Sequence, residues 1–458
     1  MKKPTNLVEM YHNSILKYGN CPAFLIDSKK ITYSEFDKSV AKVVNYLKSF
    51  KCKNIQLAIE NSFYFAIAYF GVVISNNIAV LHNKNDLQIE LALRLEDLDI
   101  EKIIKIEQDD KIGYCYKYDN ERVSTILFSS GSTGEGKAIM LSMKNIFETV
   151  LACVKRVSYF NTDRCINVIP LNHIFGLLGD FLTTFCVGAC MCIIKTKYEF
   201  FYSLEKYKPH YLNLPPILIE NLLEKMKMKG QGVTGGNIRR IICAGAPLSN
   251  YIIQEYKQYN IKVLPCYGLT EVPCVSLCSD FDKNCNGVGK VIECNEIYLD
   301  ENGQIFVCGD SVMIGYLLKK ENPFIILDNK KYFKTNDIGE IDSDNNLLIL
   351  GRVDNILSLK NGIKVQKEFI EGKIKNLKKV KEVKVELKNN ELIAEVVVEE
   401  KYKNEVERNI KKMNFGGNII TKIIYVESIK KNLLGKVIRN GKWSIKDNWW
   451  TCNWYTKY

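Results

Sequence analysis

Apolar residues recur at two periods along the chain, and the periods alternate. In ITYSEFDKSVAKVVNYLKSF, which begins at Ile31, the residues Phe36, Val40, Val43, Val44 and Leu47 fall at helical spacing behind a short strand. Residues 53–60 predict a buried strand, and residues 63–74 an apolar helix. STILF (124–128) and AIML (138–141) predict strands, and Ser142 is a good N-cap for the helix that follows it. Residues 238–244, 251–259 and 261–264 repeat the order strand, helix, strand. Such alternation predicts a layered α/β fold.

The texture changes after about residue 290, where short strands are separated by turn signals at 300–303, Gly309 and 342–346. From 370 to 429 a helix, the alternating strands VKEVKVEL and LIAEVVVE, a second helix and IIYV predict a compact α+β unit. A boundary falls at 351–354, giving an N-terminal unit 1–350 and a C-terminal unit 355–458. No internal repeat interrupts this division.

Charge follows the same boundary. Of the net +12, residues 352–458 carry +11 (24 Lys+Arg against 13 Asp+Glu). That surplus has two readings: a solvated lysine-rich domain, or a docking face for an acidic partner. No nucleic-acid reader motif accompanies it, so no nucleic-acid partner is expected. The longest apolar stretch, 181–194, is shorter than the roughly 20 residues that cross a bilayer and is broken by Thr183, Thr184 and Gly188. With no apolar signal segment behind the N-terminal lysines, a cytoplasmic protein is expected. The sixteen cysteines contain no CxxC pair and only four histidines are present, which predicts reduced, mostly buried thiols rather than a metal site.

The densest chemistry lies in SSGSTGEGK, Ser129 to Lys137. Three glycines let backbone N–H groups converge, and hydroxyls and one ammonium add donors for phosphate oxygens. The spacing from Gly131 to Lys137 also fits a Walker loop. However, Ala138 stands where Ser or Thr would hold magnesium, and the chain continues as a strand rather than opening into a helix.

Seven further runs follow in order: PLNHIFGL (170–177), AGAPLS (244–249), YGLTE (267–271), KTND (334–337), GRVDN (351–355), NGIKVQKEFIE (361–371) and NLLGKVIR (432–439). Together with SSGSTGEGKAI this set resembles the acyl-adenylate-forming (ANL) superfamily of AMP-dependent acyl-CoA synthetases, peptide-synthetase adenylation domains and luciferases. The resemblance implies a large N-terminal domain of layered α/β subdomains with a small mobile α+β C-terminal domain. It implies ATP-dependent adenylation of a carboxylic acid, then acyl transfer to the pantetheine thiol of coenzyme A or of an acidic acyl or peptidyl carrier protein.

The resemblance also assigns roles. Ser129, Ser130, Gly131, Ser132, Thr133, Gly134 and Lys137 would cradle phosphate. Gly245, Ala246, Pro247, Tyr267 and Gly268 would bind adenine, and Asp337 and Arg352 the ribose and phosphate oxygens. Thr270 would contact the α-phosphate and Glu271 would hold Mg²⁺. Lys436 would be a mobile catalytic lysine, and Asp354 the hinge about which the small domain turns. His173, a catalytic or gating residue, would line the acid pocket with Phe175, Gly176, Ala246 and Leu269. Ile174 stands where amino-acid-activating relatives place an aspartate, which argues against an α-amino acid. Gly136, Ala138, Asn336 and Lys367 depart from the family pattern. They keep open an alternative, a catalytically impaired nucleotide-binding relative with a regulatory or scaffolding role. The four tryptophans all lie in the last sixteen residues, where they would pack on the chain itself or contact a partner.

Overall fold

The computed structural model describes residues 3–50, 54–59, 61–82, 93–94, 118–129, 137–194, 196–282, 286–317, 322–358, 364–377, 379–388, 391–414 and 420–429. Two large sheets dominate it. The nine-stranded sheet runs, in spatial order, Lys290–Val291, Ser276–Leu277, Lys262–Tyr267, Arg240–Cys243, Tyr211–Leu214, Arg164–Asn167, Cys190–Ile193, Pro22–Ile26 and Lys29–Thr32. Its six central strands are parallel and its edges antiparallel. The second sheet has six strands: Gly315–Tyr316, Lys137–Ser142, Val123–Ser129, Ile78–Leu81, Asn54–Gln56 and Leu93–Arg94.

Helices cover these sheets for the reason their sequences show. Tyr33–Leu47 is amphipathic, is closed at its start by a reciprocal Thr32–Glu35 capping box, and buries Phe36, Val40, Val43, Val44 and Leu47. Phe63–Ile74 is apolar all round, and from Phe65 onward every residue is buried, as befits a helix between layers. Ser142 caps Met143–Arg156. The strand expected over residues 53–60 is confined, among the described residues, to Asn54–Gln56. The apolar run after residue 175 forms a π-helical turn, Gly176–Thr183, then a short helix and the buried strand Cys190–Ile193. No described helix is long and apolar enough to cross a membrane.

A five-stranded antiparallel sheet follows, built on the long strand Lys330–Ile341, which pairs with Leu347–Arg352. A single 3-10 turn, Val353–Asn355, then leads to the hairpin Ile356–Ser358/Lys364–Gln366, the helix Lys367–Lys375 and a three-stranded sheet. These last elements have a core of their own, around Ile370, Ile374, Val385, Ala394, Val396 and Ile410. Lys375 forms an ion pair with Glu220 (2.8 Å), and the Ser249 hydroxyl donates to Asn376 Oδ1 (3.2 Å), joining this unit to the larger one.

Eleven described cysteines are free thiols, but Cys278 is disulfide-bonded, which corrects the expectation of uniformly reduced cysteines. Among the described residues no group of three or more His, Cys, Asp or Glu could hold a metal ion.

Candidate active site

Parallel sheets place ligands beyond the carboxyl ends of their strands, because there the loops part and backbone groups are left open. Three segments singled out in the sequence lie at those ends of the nine-stranded sheet. Pro170–Gly176 follows the strand Arg164–Asn167, Gly245–Pro247 follows Arg240–Cys243, and Tyr267 closes Lys262–Tyr267. The last two strands are neighbours, with Cys243 opposite Pro265, so the 245–247 turn and Tyr267 emerge side by side.

Tyr267 donates its hydroxyl to Asp337 Oδ2 at 2.6 Å. Burial, reinforced by that carboxylate, pushes the tyrosine pKa well up, so it remains a donor. Asp337 is itself only 5% exposed, and its backbone N–H donates to Thr335 Oγ1, whose hydroxyl donates to Ile305 O. Asp337 lies directly opposite Arg352 across paired strands, and Arg352 Nη1 is 3.3 Å from Asp337 Oδ1. The other guanidinium nitrogen, Nη2, stands 3.7 Å from the exposed carboxylate of Asp354 in the 3-10 turn. A continuous polar chain therefore runs from Tyr267 through Asp337 and Arg352 to Asp354.

Residues 267–275 form a tight hairpin, in which Val275 N donates to Tyr267 O and Leu269 N to Val272 O. Gly268 is required there, because a Cβ would stand 2.4 Å from Pro273 O. Leu269 and Val272 anchor the hairpin in the main core, and Thr270 and Glu271 are half-buried at its tip. Glu271 Oε1 accepts the Tyr316 hydroxyl at 2.8 Å. Over the same tyrosine ring, 5.1 Å from its centroid, lies Lys137 Nζ. The lysine of the glycine-hydroxyl run and the carboxylate of YGLTE thus meet on one side chain. Burial and the Glu271 charge push the Tyr316 pKa up, which keeps that hydroxyl protonated.

Ser129 and Lys137 are paired across a hairpin, Val123–Ser129 with Lys137–Ser142, and Ala138 is buried within its returning strand. A strand rather than a helix follows the loop, so the Walker arrangement is excluded. Ser130, Gly131, Ser132, Thr133 and Gly134 lie outside the described residues, as do Lys436 and the tryptophans of the tail. His173 is half-buried, and its Nδ1 accepts from Phe175 N at 3.2 Å, which fixes the ring against its own segment. Gly176 packs so closely that a Cβ would stand 2.3 Å from Pro170 O. Phe175 lies against the cluster that includes Cys266 and Cys274.

Tyr316 was not legible in the sequence. It belongs to a two-residue strand, too short for periodicity, and its place follows only from pairing with Ile139, two residues on from Lys137.

Comparison with known proteins finds similarity in both sequence and fold. The profile of the family described as "AMP-binding enzyme" matches residues 107–317. The 2-succinylbenzoate–CoA ligase of Staphylococcus epidermidis is 26% identical over 370 residues, covering 73% of this chain and 75% of that one. ATP-bound MatB from Rhodopseudomonas palustris superposes with a TM-score of 0.82 at 20% identity, covering 94% of this chain and 97% of that one. The O-succinylbenzoate coenzyme A synthetase MenE from Bacillus subtilis, in complex with AMP, gives 0.76 at 18%, with 94% and 97% covered. Residues 107–317 thus match the AMP-binding enzyme family, and the chain has the fold of these acyl-CoA synthetases.

Proposed function

We propose that the chain is an ATP-dependent, AMP-forming acid–coenzyme A ligase. The observation that carries this is the 267–275 hairpin. One side of it joins Glu271, Tyr316 and Lys137, and the other joins Tyr267, Asp337 and Arg352. That arrangement sets a cation and a hard carboxylate oxygen beside a tyrosine–aspartate–arginine chain suited to a nucleoside, which is what activation of an anion by ATP requires.

In the first step a carboxylate oxygen attacks the α-phosphorus of ATP. The bond to the β-phosphate oxygen breaks, and pyrophosphate leaves. Two anions must be brought in line, so catalysis is positioning and charge neutralisation. Lys137 would meet the departing phosphates, Thr270 the α-phosphate, and Asp337 the ribose hydroxyls, with Arg352 as a planar fork beside them. Mg²⁺ suits a single carboxylate supplemented by phosphate oxygens, and Glu271, whose Oε2 bonds no other described residue, would supply it. When bound, the ion withdraws charge from the phosphates. In the second step the thiol loses its proton and attacks the acyl carbonyl, and AMP leaves.

Residues 355–458 would turn about Asp354 between the two steps, with Lys436 swinging to the α-phosphate for the first. His173, Phe175, Gly176, Ala246 and Leu269 would line the acid pocket. Ile174 is buried and apolar, which favours an aryl or alkyl acid over an α-amino acid. The surplus of positive charge in residues 352–458 supports a second acceptor, the phosphopantetheine arm of an acidic carrier protein. Acid-dependent pyrophosphate release, measured over a panel of aryl and alkyl acids with and without coenzyme A, tests the proposal. Release accelerated by coenzyme A is expected. Release indifferent to coenzyme A assigns the carrier protein, and no release with any acid contradicts ligase activity.

A further inference from the structure

Asp180 takes no part in the reaction described above, yet its carboxyl is completely buried in the π-helical turn that follows the His173 segment. Oδ2 accepts from Val168 N (3.2 Å), Ile169 N (3.2 Å) and Asn167 Nδ2 (3.0 Å). Oδ1 accepts from Asn213 Nδ2 (2.9 Å) and from the Cys165 thiol (3.7 Å). No cation pairs with it among the described residues. Burial pushes its pKa up to about 7, and the amide and backbone donors oppose that rise. Such a carboxyl is costly to bury, so what it holds is informative.

It holds the two consecutive backbone N–H groups that begin the connection from Val168 to Phe175, and the far end of that connection carries His173 and Phe175. Two adjacent N–H groups aimed at one oxygen form an anion nest, and an apolar residue at 180 would leave both unpaired in the core. The same segment is gripped from the other side by Asn61, whose Oδ1 accepts from Leu171 N (2.6 Å) and whose Nδ2 donates to Ile169 O (3.3 Å). Asn167 adds an internal tie to Ile169 O at 2.8 Å. The π-helical turn thus sets Asp180 against the end of the preceding strand, Arg164–Asn167, and against Asn213 of its neighbour.

We infer that Asp180 and Asn61 are positioning residues for the carboxylic acid substrate, clamping residues 168–171 so that His173 and Phe175 meet the acid in a fixed place. This rests on the proposed reading of the 170–176 segment as the wall of the acid pocket. A clamp of this kind acts on one substrate only, whereas a general structural role lowers the amount of working enzyme for both.

The test is steady-state pyrophosphate release by the full chain with an accepted acid, for wild type, Asp180→Asn and Asn61→Ala. The expected result is a KM for the acid raised about tenfold in Asp180→Asn and severalfold in Asn61→Ala, with the KM for ATP unchanged, as loss of alignment at one substrate would give. An unchanged acid KM with a lower kcat, or equal rises in both KM values, overturns the inference. Should Asp180→Asn not fold, Asn61→Ala decides by the same criteria. A wild-type chain inactive with every acid overturns the proposed function, and this inference with it.

Discussion

Asn336 stands at φ +61°, in the left-handed region where the related motif has glycine. Asparagine is the residue besides glycine that enters this region most readily, so the irregularity in the strand that presents Asp337 forms without glycine. Its Oδ1 accepts from Gln304 Nε2 at 3.2 Å, which adds a tie that glycine could not make. The departure at this position is therefore no sign of lost function. Motif order made Asp337, Tyr267, Glu271 and Lys137 legible, because each sits in a run of distinctive residues. Tyr316 and Asp180 were not, because their roles depend on what folding brings beside them. Asp180 also yields a pH prediction. Its folded pKa of about 7 lies above that of an exposed carboxyl, so it favours the folded state fully only below about pH 4. Its contribution falls as pH rises to about 7, by roughly 4 kcal/mol in total. Denaturant unfolding of Asp180→Asn should show stability relative to wild type increasing across that window. A constant difference would mean that Asp180 is ionised at acid pH.

At the scale of elements, periodicity read the helices well and the special turns poorly. Tyr33–Leu47 and Met143–Arg156 carry clean apolar stripes and capped starts, and both form as expected. The π-helical turn escaped because its i to i+5 spacing imitates neither a helix nor a strand in a run that is apolar almost throughout. The 267–275 hairpin is the element on which the site depends, and its geometry leaves no room at Gly268. The group in the way is backbone, Pro273 O, which cannot swing aside. Gly268→Ala should therefore destabilise the chain by about 1–3 kcal/mol and lower adenylation at least tenfold by displacing Thr270 and Glu271. Thermal unfolding and pyrophosphate release check the two effects separately. Full activity in the variant would show that the hairpin tolerates displacement.

Over the whole molecule, a separate antiparallel sheet follows residue 290, and the elements beyond Val353–Asn355 share a core of their own. Which surfaces of the two units touch was beyond the sequence, since contacts such as Lys375–Glu220 join residues 155 positions apart. If residues 355–458 turn as proposed, Lys436→Ala should reduce adenylate formation on the order of 10²- to 10³-fold while sparing thioester formation from supplied acyl-adenylate. Equal loss in both half-reactions would contradict the turn. The most direct test of adenylation follows the carboxylate oxygen itself. An accepted acid labelled with ¹⁸O in both carboxylate positions, turned over with ATP and coenzyme A, should transfer one labelled oxygen to AMP, detected by mass spectrometry. Unlabelled AMP, or label appearing in inorganic phosphate, would contradict attack on the α-phosphorus.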